Sequence, residues 1–249
     1  MKASFKKNKK HYLQEALGLA IFMASACFFG AMLFSENSSW HHTLPDEVMR
    51  NILMGALMGA TALFIFYSPF TAPSGAQINP AVTLSFLRLG KMCPWDALFF
   101  ILFQVAGGVA AVYAMQFIMG SILTEPPVNS VITIPGKYGI IPALLMEFVI
   151  AFITMAMVLF TSRDDKLKKY TRIFAGCLVC TWVIVAGPVS GFGMNPARSL
   201  ASALPANIWT AFWIYLLIPF AGMLSAAELF ARANSSHTND KANEELKET

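Results

Sequence analysis

Two segments hold the residues best suited to chemistry in this chain. Ser74-Gly75-Ala76-Gln77-Ile78-Asn79-Pro80-Ala81-Val82-Thr83-Leu84 aligns with Ser190-Gly191-Phe192-Gly193-Met194-Asn195-Pro196-Ala197-Arg198-Ser199-Leu200 at a constant offset of 116. Ser, Gly, Asn, Pro, Ala and Leu are identical, and Thr83 stands opposite Ser199. Asn is a preferred N-cap, and Pro at the first helical position lacks an N–H that would be unpaired there anyway. Each Asn-Pro-Ala therefore predicts the start of a helix. The two amides bring donors and acceptors, and the two helix ends bring partial positive charge. Arg198 adds fixed donors and a full charge three residues after Asn195. This set of groups orients small neutral molecules and repels cations; it makes and breaks no bonds. There is no nucleotide loop and no nucleophile–base pair, so the chain does not read as an enzyme. Cys177 and Cys180 form a C-x-x-C, but inside an apolar run with no partner pair, which predicts packing rather than a metal or redox site. No metal and no cofactor are expected.

The elements that must position these groups follow from composition. Of 249 residues, 56% are hydrophobic and 13% charged. Soluble domains carry about 25% charge, which excludes an ordinary soluble enzyme and a disordered scaffold. The net charge of +4 is too small for a nucleic-acid module. A membrane-spanning helix needs about 20 mostly apolar residues. Six runs qualify: Tyr12 to Phe34, Ile52 to Phe70, Pro94 to Ile122, Ile140 to Thr161, Ile173 to Val189 and Ile208 to Ala231. The first resembles a signal peptide at Ala24-Ser25-Ala26, but its apolar run continues to Phe34, past the length of about 7–15 residues for a cleaved segment. With six spans, fifteen of the eighteen Lys and Arg fall on the side that holds both termini; Arg50, Lys137 and Arg198 fall on the other. The positive-inside rule then makes both termini cytoplasmic, and the tail from Asn234 to Thr249 a solvated terminus.

Asn79 to Leu89 and Asn195 to Leu204 are apolar but too short to cross. At about 1.5 Å per residue each reaches halfway through a core of about 30 Å. They are expected to re-enter from opposite sides and meet end to end, with the preceding Ser-Gly segments as irregular backbone whose carbonyls line a path. Glu15 in the first span has its counterpart in Glu147 in the fourth. Each half has three crossings, so the second half is inverted relative to the first. The expected fold is an all-α membrane protein with six transmembrane helices, two re-entrant half-helices and an inverted 3+3 repeat. Its segments are a cytoplasmic tail 1–11, a first repeat 12–122, an extracellular connection 123–139, a second repeat 140–232 and a cytoplasmic tail 233–249.

The doubled Asn-Pro-Ala, with Arg only after the second copy, resembles the aquaporin (major intrinsic protein) family over about residues 12–232. The resemblance implies a passive channel for water and small uncharged solutes that excludes protons and ions. It also implies a multi-pass protein of the cell membrane and a homotetramer with one pore per subunit. Its partners are then water, small neutral solutes and membrane lipid, with no nucleic acid. Asn79, Pro80, Ala81, Asn195, Pro196 and Ala197 would form the pore centre. An outer constriction would comprise Arg198, Phe192, Val183 and Gly59, the last becoming Met58 across a one-residue gap. Water-selective members carry a bulky aromatic at the Gly59 position and His at the Val183 position, so this filter is expected to be wider and less polar. Gly187 to Met194 resembles glycerol facilitators, whereas Ser199 and Ala203 match water channels. A glycerol-selective facilitator is therefore the second reading. A secondary transporter with inverted repeats and broken helices is a third, of another class. Glu15 and Glu147 read as supports that bind loop N–H groups before each half-helix, with Gln104 doing the same. Gly107, Gly108, Ala110 and Ala111 suit close helix packing. His41 and His42 read as solvated, and Asn37-Ser38-Ser39 is a glycosylation acceptor on the outer side.

Overall fold

A computed structural model describes the backbone of residues 1–245 and the side chains of residues 1–233. The tail expected from Asn234 onward lies outside the residues with described side chains. The described residues form α1 (Lys2–Phe34), α2 (Ser39–Thr43), α3 (Glu47–Tyr67), α4 (Pro80–Arg88), α5 (Pro94–Met119), α6 (Ser121–Thr124), α7 (Ile140–Arg163), α8 (Thr171–Ser190), α9 (Pro196–Ala206) and α10 (Phe212–Glu245). Among them, α1, α3, α5, α7, α8 and α10 are long and apolar enough to cross a membrane. The short helices α4 and α9 are the two half-helices.

Several ends differ from the sequence reading, each for a local reason. Helix α3 stops at Tyr67 rather than Phe70 because Ser68, which precedes Pro69, is extended at φ −61°, ψ 132°. Helix α5 stops at Met119 rather than Ile122, where Gly120 takes φ +58°. Helix α10 starts at Phe212 rather than Ile208, after left-handed turns at Asn207 and Ala211. The largest difference is at the N-terminus. Residues 2–11 are not a free tail but the first turns of α1, docked on α5. Asn8 Nδ2 donates to Asp96 Oδ2 (3.0 Å) and Tyr12 Oη donates to Asp96 Oδ1 (2.5 Å). Phe5, Tyr12, Phe99 and Phe103 form an aromatic cluster around that contact.

Helices pack in three principal pairs, α1 with α5, α7 with α10 and α3 with α8. Glycine sets each approach. A Cβ on Gly107 would collide with the Ala16 carbonyl of α1, and one on Gly222 would lie 2.6 Å from the Phe148 carbonyl of α7. Ala16 and Phe148 each follow a buried glutamate, so the two halves use the same crossing. Between the halves, Gly55 and Gly59 let α3 close on Cys180, while Gly176 faces Leu63. Helices α4 and α9 are held by α5 and α10.

We expect Gly107→Ala to destabilise the protein by about 1–3 kcal/mol through overpacking against backbone. Gly187→Ala, where an added Cβ meets nothing within 4 Å, should be neutral or stabilising. Thermal unfolding of the two variants in the same detergent checks the contrast.

Candidate functional site

Each half-helix is preceded by a non-helical loop whose N–H groups, on the side away from the cavity, need internal partners. Two glutamates supply them. Glu15 Oε1 accepts from Ser74 Oγ (2.6 Å) and Gln77 N (3.0 Å), and its Oε2 accepts from Ile78 N (2.6 Å). Glu147 Oε1 accepts from Ser190 Oγ (2.6 Å) and Gly193 N (2.8 Å), and its Oε2 accepts from Met194 N (2.5 Å). The three donors correspond at the 116-residue offset. The backbone corresponds too: Gly75, Ala76 and Ile78 have positive φ, as do Gly191, Phe192 and Met194. Both carboxylates are fully buried. Gln104 acts differently from the expectation. It donates to Glu15 Oε2 (2.8 Å) and Thr83 Oγ1 (3.2 Å), not to the loop backbone.

The half-helices meet at their N-termini. Asn79 Oδ1 accepts from Ala81 N (2.9 Å), and Asn195 Oδ1 accepts from Ala197 N (3.1 Å) and Arg198 N (3.2 Å). Each amide nitrogen then reaches across. Asn79 Nδ2 donates to Met194 O (3.0 Å), and Asn195 Nδ2 donates to Ile78 O (2.6 Å). From the sequence, these asparagines are expected to cap their helices and turn their amide donors to a passing solute. The structure uses one of the two N–H bonds of each amide to tie the loops together, leaving one. Pro80 and Ala81, and Pro196 and Ala197, are buried behind the amides.

A cavity of about 360 Å³ runs from Lys168, Thr171 and Arg172 past both amides to Phe192 and Arg198. Its wall includes residues 75–79 and 192–195. Among the described residues the carbonyls of Gly75, Ala76, Gln77 and Phe192 accept no protein hydrogen bond and stay free. The wall carries no Asp or Glu; its charged side chains are Lys168, Arg172 and Arg198. No group of three or more His, Cys, Asp or Glu among the described residues could hold a metal.

The four filter positions do not all converge. Arg198 and Phe192 line the end of the cavity. Val183 is one turn beyond Val179 on the stripe that also carries Ala175, both in the wall. Gly59 faces α8, where an added Cβ would lie 2.8 Å from Cys180 Cβ and 3.1 Å from the Gly176 carbonyl. Ala62 and Phe66 line the cavity, and Met58, 2% exposed, continues their i, i+4 stripe. The phase of α3 therefore turns Gly59 to α8 and leaves Met58 on the stripe of Ala62 and Phe66.

A model of the major intrinsic protein family matches residues 2–230. The chain belongs to that family. Aquaporin NIP1-4 of Oryza sativa subsp. japonica is 38% identical over 62% of this chain and 55% of its own length. Aquaporin NIP2-2 of Zea mays is 37% identical over 80% of this chain and 63% of its own length. The chain thus spans about half to two thirds of the length of these curated relatives. The X-ray structure of the aquaglyceroporin from Plasmodium falciparum shares the fold at a TM-score of 0.74 and 17% identity, covering 89% of this chain and 94% of that one.

In this major intrinsic protein, Thr133 is a site residue that sequence reasoning missed. The Arg198 Nη1 donates to Thr133 Oγ1, and Thr133 Oγ1 lies 3.1 Å from Ser199 Oγ. Thr133 is held in place because its loop is laid on the second motif: Gly136 N donates to Val189 O (2.9 Å). No periodicity marks a single hydroxyl in a connection. Tyr215 was also missed; its Oη donates to Ser190 O (2.8 Å) and braces the second loop.

Glu147→Leu strands two buried loop N–H groups, each costing about 1–3 kcal/mol. The variant is expected to lose the monodisperse detergent-solubilised peak in size-exclusion chromatography. Glu147→Gln, which keeps an acceptor, should be intermediate.

Proposed function

We propose that this protein is a passive channel for water and small uncharged solutes that excludes protons and ions. The observation that carries this reading is the reciprocal clamp of two half-helix N-termini, set in the wall of one continuous cavity. Both helix ends direct positive potential at the midpoint, and Arg198 adds a charge at one end. A water at the midpoint accepts from the free N–H of each amide and one at the end of the cavity meets Arg198, while a cation meets the positive potential of both helix ends and of Arg198. Free loop carbonyls offer acceptors on either side.

The same site argues against ion-coupled transport. Coupling needs acids on the path, and Glu15 and Glu147 are occupied by loop donors away from the cavity wall. The filter is Met58, Val183, Phe192 and Arg198. It keeps the low polarity expected from Gly59 and Val183 but not the full width, since Met58 fills space that a glycine would leave open while lacking the rigid ring of water-selective members. The pore centre is Asn79, Pro80, Ala81, Asn195, Pro196 and Ala197. We assign both termini to the cytoplasm of a cell membrane, repeats to residues 12–122 and 140–232, and the assembly to a homotetramer with one pore per subunit.

Stopped-flow light scattering of proteoliposomes tests the solute range. Glycerol and urea should pass in addition to water, without an ion gradient. Complete exclusion of glycerol alongside fast water flux would contradict the wide filter, and glycerol flux far above water would favour a glycerol facilitator. Met58→Phe is expected to lower the glycerol-to-water permeability ratio. Arg198→Val should raise leak of larger or charged species; unchanged selectivity would remove Arg198 from the filter.

A further inference from the structure

Besides the two asparagines, one residue that carries a side-chain amide lines the cavity, Gln77. Its Oε1 lies 2.7 Å from Thr83 Oγ1. Its Nε2 has no protein partner among the described residues and is not among the sealed, unpaired polar atoms, so it is an accessible donor on a residue that lines the cavity. Groups that never touch a solute decide which end of this amide faces the lumen. A carboxylate only accepts, so fully buried Gln104 turns its Nε2 to Glu15 Oε2 (2.8 Å), and the same nitrogen reaches Thr83 Oγ1 (3.2 Å). Gln104 Oε1 is thereby left buried without a partner. The flipped amide would set that oxygen against the carboxylate.

Thr83 receives a hydrogen from Gln104 and gives its own to Gln77 Oε1. The 2.7 Å separation is an O–H···O length, shorter than the roughly 2.9–3.0 Å usual for N–H···O. The competing acceptor, Asn79 O, is 3.2 Å away and already accepts from Thr83 N. The polarity of Glu15 thus passes through Gln104 and Thr83 to present N–H groups, not a carbonyl, to the lumen. The second loop has no equivalent. The matching position is Gly193, where a Cβ would lie 2.5 Å from Tyr215 Cδ1 and 2.9 Å from Glu147 Oε2.

We infer that Gln77 Nε2 is a one-sided solute-binding donor next to the asparagine pair, oriented by the Glu15–Gln104–Thr83 relay. It favours solutes with acceptor oxygens that lose more hydration than water does, namely small amides and polyols. This inference rests on the channel reading above. Gln77 contacts the solute; Thr83 and Gln104 are positioning residues.

Urea, glycerol and water permeabilities of reconstituted full-length variants test it. Gln77→Met removes both donor and acceptor, and Gln77→Glu keeps length and acceptor but removes the donors. Both should lower the urea-to-water and glycerol-to-water ratios by about two- to tenfold, the worth of one net hydrogen bond. Thr83→Val should lower the ratios as well, and Thr83→Ser, which keeps the hydroxyl, should restore them. Unchanged ratios in both Gln77 variants, a retained ratio in Gln77→Glu, or equal losses in Thr83→Val and Thr83→Ser would each overturn the inference. If unmodified protein passes no more water than protein-free vesicles, the channel reading itself fails. Normal water flux with unchanged ratios sinks this inference alone.

Discussion

Backbone that leaves the helix in the middle of a membrane must find internal partners wherever no water path reaches it, and each unpaired group there costs several kcal/mol. This protein leaves the helix twice at that depth, and two buried carboxylates make both departures tolerable. Glu15 and Glu147 each gather a serine hydroxyl and two loop N–H groups. The rest of the site follows from those contacts. With the N–H groups turned outward to a carboxylate, the positive φ values of the two loops leave carbonyls free along the cavity. With the loops fixed, the two asparagines can cap their own helices and still reach across. The glutamates must be held at the right depth, and the glycine-mediated crossings next to them, Gly107 on Ala16 and Gly222 on Phe148, set the approach of the supporting helices.

The same device, used twice, does not give a symmetric path. Arg198 follows one asparagine and Val82 the other. Gln77 brings an amide to one loop where the other has room only for Gly193. Thr133 clasps the arginine from a connection that has no counterpart in the other half. The fold therefore supplies a symmetric frame, and single substitutions on it give the two ends of the path different chemistry.

Much of this frame was legible in the sequence because it rests on local rules. Asn-Pro at a helix start, runs of about 20 apolar residues and a repeat at constant offset each have one physical meaning. The pairing of Glu15 and Glu147 with the loops followed from the repeat alone. The filter was less legible because counting residues back from Asn79 ignores helix phase. Gly55 and Gly59 form a G-x-x-x-G, a signal for close helix approach. That spacing turns Gly59 to α8 and leaves Met58 on the stripe of Ala62 and Phe66. The docked start of α1 was missed because its lysines resemble a tail, while its anchors, Asn8 and Phe5, meet Asp96 and Phe99 far away in the chain. Thr133 and the second role of the asparagine amides depend on contacts across 65 and more residues, which no local pattern encodes.

The central claim is that the clamped half-helix ends pass water and refuse protons. Its most direct test measures both fluxes on the same proteoliposomes, osmotic shrinkage by light scattering and proton entry by an enclosed pH-sensitive dye. The account predicts water permeability that rises with the amount of reconstituted protein while proton entry stays at the level of protein-free vesicles. Proton entry that rises in step with water would contradict it.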